Sequence, residues 1–503
     1  MIGFNPFSVG YGGAGGAPFS QTMAGFDSWS STATIDSIPV RMWLVSRARQ
    51  LAISNPMAAA AIGRLTGGIV GEGLGYVVPQ EADLLGVKYG AAMAIKRAFT
   101  LASGMRLLDA QRRQSFAQMQ EIACRNWLLS GDVFFVRKDI NGRSAWRAVE
   151  SDRVISPYWL ASNSMGVDVR NPETGNRIID GVELDADAIP VAYWMLRDYI
   201  EKPLMASRAD MVRIPAHDDD GFPLVLHLFA PLRPDQYRGI PILAETIESL
   251  FATNGFIRSV EQAAAFQSSV WGFITSENPT MSETDPLLSG DLDAPIPIEP
   301  KTEDTPKDAP TMELSTTPPT DADKRAWFDT ILPEPKKVSA GQLWNLKPGE
   351  DVKFLQPTNP NTQFAEYLRT QTGMLASAIG VPLQVLSCSY DGTYASARGS
   401  VLEANRLFKR YRGFFIDQFV RPIFERFVYD ETGSKFVAGL MAVSSQWQAP
   451  TALCLDPTKE LDAWLKAIES GLVTRDEAAL ALYGHTATGT PNADAKTEVI
   501  DKL

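Results

Sequence analysis

A chain of 503 residues is too long for one simple core, so roughly two to four domains are expected. Hydrophobic residues at 45% and charged residues at 21% are the values of an ordinary soluble globular protein. A formal net charge of −12 argues against a protein that wraps DNA tightly, which is usually basic overall, and leaves brief or sliding contact with nucleic acid, or none. The three cysteines (Cys124, Cys388, Cys454) lie far apart with no CxxC pair, which points to a reducing compartment without a disulfide framework or structural zinc. No apolar run reaches the ~18 residues of a membrane span, and the N-terminus lacks the basic-then-apolar order of a signal peptide. The expectation is an intracellular soluble protein.

Residues 1–30 are rich in Gly, Ser and Phe and read as a flexible arm, with Phe4, Phe7, Tyr11 and Phe19 available to dock on a neighbour. A helix follows over 37–63, broken at Asn55-Pro56. "GGIVGEGLG" (67–75) has the look of a phosphate-cradling loop. It follows a helix and leads into the strand-like "YVVP", the reverse of a dinucleotide fingerprint, so it reads as a helix end and turn. A second helix spans 115–130 and stops at Gly131. Two β-rich runs then flank Asn141-Gly142, a strong hairpin signal. Further strand-like runs lie at 178–184 and 190–196, and a second hairpin is expected to join 211–215 to 224–229 through "HDDDG" (217–221). That turn is the one metal-like stretch, but calcium loops alternate their ligands and these are consecutive, so it reads as an exposed turn. The three histidines (His217, His227, His485) sit in no nucleophile or zinc motif.

A long helix opens near Pro241 and runs to about Ser268, with Leu243, Ile247, Leu250, Ile257, Val260 and Ala264 on an apolar stripe. "VWGFITSE" reads as a strand. Between 280 and 320 there are nine acidic residues, two lysines and eight prolines, the composition of a disordered segment or loose loop. Order is expected to resume near Trp327 and to continue through two strand-like runs around Lys347-Pro348-Gly349. A helix over 361–379 is stopped by "GVP", and a small polar loop, "SYDGTYAS" (389–396), leads into a helix over about 396–421 that Pro422 should kink or end. Asp456-Pro457 opens a further helix that Gly471 stops, and Thr474 with Glu477 forms a capping box.

Two long helices thus bracket a small β-containing insert, an outgrowth that suits helix pairs packed side by side in a ring. The chain at these residues resembles the lambda-type phage portal proteins. The resemblance is carried, in order, by "RARQLAISNPMAAAAIGRLTGGIVGEG", "WLLSGDVFFVR", "DGVELD" with "PVAYW", "HLFAPLRPDQYRGIP", "LKPGEDVKF", "SAIGVPLQVLSCSYDGTYASARGSVLEANRLF" and "DPTKELDAWLKAIESGLVTRDE". The family's loop is more often N-Y-S-S-A-R; here Thr393 and Ala395 depart from it.

The resemblance implies an α+β portal fold: a flexible arm (1–35), a mixed α/β wing (36–238), stem helices (239–268 and 358–380), a small α/β clip insert (269–357), a tunnel loop (381–397), a wing helix lining the channel (398–432) and a helical crown with its tail (433–503). It implies a ring, usually of twelve subunits, at one capsid vertex, through which double-stranded DNA is packaged and ejected without sequence specificity. Its partners would be its own copies, the terminase motor, the major capsid or scaffold protein and a head-tail adaptor, with no membrane, no cofactor and no enzymatic activity, in the virion and, during assembly, the host cytoplasm. The residues placed against DNA are Tyr390, Thr393, Tyr394, Ser396, Arg398, Lys409, Arg410 and Arg412. Phe408, Tyr411, Phe415 and Phe419 are read as packing, and individual basic groups of 395–427 as paired with acids on neighbouring subunits. Two alternatives stay open: a DNA-processing nuclease of the packaging apparatus, and a capsid or tail protein that conducts no DNA.

Overall fold

The computed structural model describes residues 33–78, 89–160, 169–199, 206–269, 272–276, 350–354, 364–390, 392–433, 447–450, 457–475 and 478–479. Residues 1–32 of the arm, the acidic 280–320 segment, the stretch around Trp327, the first run before Lys347 and the Glu477 side of the capping box lie outside them; residues 33–35, expected in the arm, instead begin a helix. The chain divides into two compact units, residues 1–259 with 362–503 and residues 260–361.

Helices α1 (Ala33–Ser54) and α2 (Pro56–Ile69) are separated at Asn55 as the Asn-Pro pair predicts. The Asn55 side chain accepts from Met57 N (2.9 Å) and Ala58 N (3.0 Å), and Pro56 takes the first helical position, where its missing N–H costs nothing. The glycine stretch that follows is a helix end and turn leading to β1 (Gly75–Tyr76). Helix α3 (Tyr89–Gly104) buries Ala92, Ile95, Phe99 and Ala102 at helical spacing, and α4 (Phe116–Ser130) starts from a Ser115/Gln118 capping box and ends at Gly131 with φ +84°.

Strands β2 (Asp132–Ile140) and β3 (Arg143–Val149) form the expected hairpin, with Asn141 and Gly142 both at positive φ. The run at 178–184 is two short strands, β5 (Arg177–Ile179) and β6 (Val182–Leu184), hinged at Asp180-Gly181. With β4 (Val169–Arg170), β7 (Pro190–Leu196) and β8 (Met211–Pro215) they make an antiparallel five-stranded sheet in chain order. The expected hairpin between 211–215 and 224–229 closes only at its turn, where His217 bridges Pro223 and Leu224 N donates to the Ala216 carbonyl (2.8 Å); beyond it the two strands part into different sheets. β8 pairs with β7, whereas β9 (Val225–Phe229) pairs with β2 in a three-stranded sheet of order β3-β2-β9. The "HDDDG" turn is a corner between two sheets, held by Asp218. Its carboxylate meets Arg137 (2.5 Å) and Arg426 (3.2 Å), partners far away in sequence.

β2 is apolar on both faces because each face has its own core. Val133 and Phe135 point into the helical core, while Phe134 and Val136 point into the core between the two sheets with Ile179, Val182, Tyr193 and Met195. A 3₁₀ turn (Ala244–Thr246) leads into α5 (Ile247–Ser269). Leu243, Ile247 and Leu250 are buried, but Ile257 and Val260 are only half-buried and Ala264 is exposed, so the far part of the apolar stripe is incompletely covered. In the second unit, β10 (Gly272–Ser276) and β11 (Glu350–Phe354) pair antiparallel.

Helix α6 (Phe364–Ile379) ends at Gly380 (φ +74°) and is followed by the short α7 (Leu383–Ser387). Helix α8 (Tyr394–Phe415) passes through a π segment (Ile416–Val420) into α9 (Arg421–Thr432). Pro422 sits in the first turn of α9, directly after the π segment, so the chain stays helical past it. β12 (Trp447–Gln448) pairs with β1, and α10 (Pro457–Glu469) is followed by Gly471 at φ +72°.

Candidate nucleic-acid interface

The loop between α7 and α8 is built of small and polar groups. Cys388 leaves α7 in the left-handed region, Gly392 follows at φ +126°, and Thr393 caps α8 by accepting from Ser396 N (3.3 Å). Tyr390, Thr393, Tyr394 and Ser396 are exposed. The loop has ties: Gln384 Nε2 donates to Ser396 Oγ (3.3 Å), and the Lys459 ammonium of α10 lies 4.9 Å from the Tyr394 ring.

Helix α8 is divided lengthwise. Ala397, Val401, Ala404, Phe408 and Phe415 are buried on one face. Arg398, Arg406, Lys409 and Arg410 are exposed, interleaved with Gly399, Leu402, Glu403 and Gly413 on the other. Arg406 approaches Glu403 at 3.4 Å, an exposed pair of little energetic consequence.

The aromatic residues pack, as the sequence reading expects. Trp127 of α4 meets Tyr411, Phe414 and Phe415 at ring separations of 5.8, 5.2 and 6.4 Å. Phe419 in the π segment stacks against Phe135 of β2 (4.6 Å) and Phe415 (5.2 Å). Phe408 lies on Gly68 of α2, so closely that a Cβ there would collide with the ring. The exposed face of α8 is therefore carried on a rigid base.

Arg412 departs from expectation. Its Nε donates to the Ile69 carbonyl (2.9 Å) and its Nη2 to the Gly68 carbonyl (2.7 Å), closing the C-terminal end of α2. Burial lowers the pKa of this guanidinium from its ordinary value. Arg412 belongs to the scaffold. Arg421 and Arg426 are likewise engaged within the chain, with Asp417 (2.8 Å) and with Asp430 (2.9 Å) and Asp218 respectively, rather than left for a neighbouring subunit.

The "RGIP" stretch proves to be a joint between α4, β2 and the approach to α5, a role the sequence alone does not assign. Arg238 is buried, with Nε on Asp132 Oδ2 (2.6 Å), Nη1 on the Val154 carbonyl (2.7 Å) and Nη2 on the Ser151 carbonyl (2.9 Å). Asp132 also accepts from Gly239 N (3.1 Å) and from the Ser151 hydroxyl. Burial pushes the Asp132 carboxyl up, but Arg238, the His227 hydrogen bond and Arg41 outweigh it and hold it well below the usual carboxylate range. Burial keeps His227 below its ordinary pKa despite Asp132, so the ring is neutral. Gly239 lies against Gly131, where a Cβ would run into the Gly131 carbonyl. This joint fixes the end of α4, the start of β2 and the entry to α5 together.

A family model described as the lambda family of phage portal proteins matches residues 19–412, most of the chain. The chain belongs to that family and is a phage portal protein. The family is structural rather than enzymatic. Solved structures similar to this chain include one described as the neck of a native GTA particle computed with C12 symmetry (17% identity, TM-score 0.43, covering 87% of this chain and 93% of that one) and one described as the virion of a native gene transfer agent particle (16%, 0.44, 87% and 93%). No helix among the described residues is long and apolar enough to cross a membrane.

Proposed function

We propose that copies of this chain close into a ring at one capsid vertex, and that the 389–396 loop with the solvent face of α8 lines the channel through which double-stranded DNA enters and leaves. One observation carries the reading. Arg398, Arg406, Lys409 and Arg410 are exposed on a helix whose opposite face is locked into the core. Such a face offers phosphates a few weak, sequence-independent contacts, and the net charge of −12 keeps the remainder of the surface from gripping. In this reading 36–238 is the wing, α5 and α6 the stem, 269–357 the clip that receives first the terminase motor and then a head-tail adaptor, and 433–503 the crown. The chain contributes no catalysis; incubation of purified rings with DNA and magnesium is expected to leave the DNA intact, and cleavage would favour the nuclease alternative.

The deciding experiment compares the DNA content of assembled particles. Deleting 389–396, or replacing Ser396 and Arg398 with acids, is expected to impair packaging or retention severely while rings still form. Lys409→Ala with Arg410→Ala should have a moderate effect. Normal filling and retention by the loop variants would remove the loop from the channel.

A further inference from the structure

The corner between α3 and α4 carries charge that no ion pair among the described residues compensates. From Tyr89 to Ser115 there are five basic side chains (Lys96, Arg97, Arg106, Arg112, Arg113) and one acid, Asp109. Asp109 is buried and occupied. Its carboxylate accepts the backbone N–H groups of Gln111 (3.0 Å), Arg113 (2.8 Å) and Gln114 (3.0 Å). Arg97, Arg106, Arg112 and Arg113 are exposed and form no ion pair among the described residues.

The loop that presents them is fixed. Leu108 is buried, its carbonyl accepts from Trp146 N (2.8 Å), and Ala110 N donates to the Trp146 carbonyl (3.0 Å), which ties the loop to the open edge of β3. Arg106 and Arg112 hold φ of +59° and +53°, a region that disfavours side chains other than glycine. A backbone strained at two arginines on one surface loop points to a use for those side chains. Guanidinium groups bind phosphate oxygens in pairs, and fixed presentation lowers the ordering entropy of doing so.

We propose that this corner is a second, sequence-independent contact for the phosphate backbone of double-stranded DNA, separate from the face of α8. It stands without the channel assignment. The test is binding of a labelled random-sequence duplex to the assembled protein across a salt series. Four proteins are compared: wild type, Arg106→Gly/Arg112→Gly/Arg113→Gln, Lys409→Ala/Arg410→Ala, and the combination. Glycine suits the two positive-φ positions, so the corner variant is expected to fold and assemble. Its log–log salt slope should shrink by about 0.9 for each arginine that meets a phosphate, and the effect should add to that of the α8 pair. Where the triple variant does not assemble, Arg113→Gln alone should shrink the slope by about 0.9.

A corner variant with the wild-type slope overturns the proposal. If that variant also enters capsids poorly, the corner serves an acidic protein surface, for which exposed Leu101 and Met105 alongside would be the apolar part. A slope that falls for the corner but not for α8 would sink the channel reading and leave this one standing.

Discussion

Glu183 shows how one buried carboxylate organises the five-stranded sheet. Its Oε1 accepts from Asn171 (3.1 Å), Thr174 (3.1 Å) and Asn176 (3.1 Å), and its Oε2 from Trp194 Nε1 (3.0 Å) and Arg213 Nε (2.8 Å). Burial raises its pKa, but Arg213 and the other donors more than offset this and bring it down to about 2. A carboxylate with a depressed folded pKa contributes stability that is complete above its unfolded value and lost as pH falls through the folded one. The contribution, on the order of 3 kcal/mol at neutral pH, should therefore disappear between about pH 4.5 and pH 2. Glu183→Gln should flatten that part of an acid-unfolding curve followed by circular dichroism; an unchanged curve would remove Glu183 from the account. Arg238→Ala strands Asp132 as a buried, unpaired charge, and a loss of about 3–5 kcal/mol is expected in chemical denaturation. None of these partnerships was legible in the sequence. Asp132 and Arg238 are separated by most of the wing expectation, and only the fold brings them together.

At the scale of elements, legibility followed the range of the forces involved. The break at Asn55-Pro56, the Ser115-to-Gly131 helix and the Asn141-Gly142 hairpin depend on neighbours in the chain, and each stands where the residues place it. The "HDDDG" turn closes as read, but its strands part, because two apolar runs around a tight turn look alike whether they join one sheet or two; at the corner Asp218 reaches Arg137 and Arg426. Helix α3 went unread although Ala92, Ile95, Phe99 and Ala102 carry its period, since alanine and glycine weaken the contrast between faces. The exposed loop residues were legible as small and polar, but Arg412 was not distinguishable from Arg410 before α2 came into view. Arg412→Ala should cost about 1–3 kcal/mol by leaving two carbonyls without their donor. Amide exchange of the residues at the end of α2 should quicken in that variant, while Arg410→Ala leaves it alone.

For the whole molecule, the exposed parts of α5 are the informative ones. Phe251 is 74% exposed and the stripe beyond Leu250 is incompletely covered, which a lone protomer in water does not favour. Assembly into a ring is the expected remedy, and the family's usual twelve copies of 55.0 kDa would total about 660 kDa. Native mass spectrometry should find that species, and Phe251→Asp should shift the population toward smaller ones. A monomer alone at micromolar concentration in the wild type would weigh heavily against the ring. Deleting 281–320 should leave the ring intact, because a segment so rich in proline and acid offers little apolar surface to bury.

The pairing of β1 with β12 also has a consequence in time. Tyr76 is registered against Trp447, and Phe424 packs against both, tilted to the first at 4.3 Å and edge-on to the second at 5.4 Å, so one aromatic knot joins residues far apart in the chain. On a ribosome adding about 5–20 residues per second, the first strand waits on the order of half a minute for its mate. During that wait Tyr76 has no finished site, and the nascent protomer is incomplete at the heart of its helical core. Synthesis thereby acts as a clock. A product cut short before Trp447 lacks the closing strand, and contacts between such remote residues are slow to form even in a finished chain. Only a chain translated past Trp447 can offer a completed surface to its neighbours.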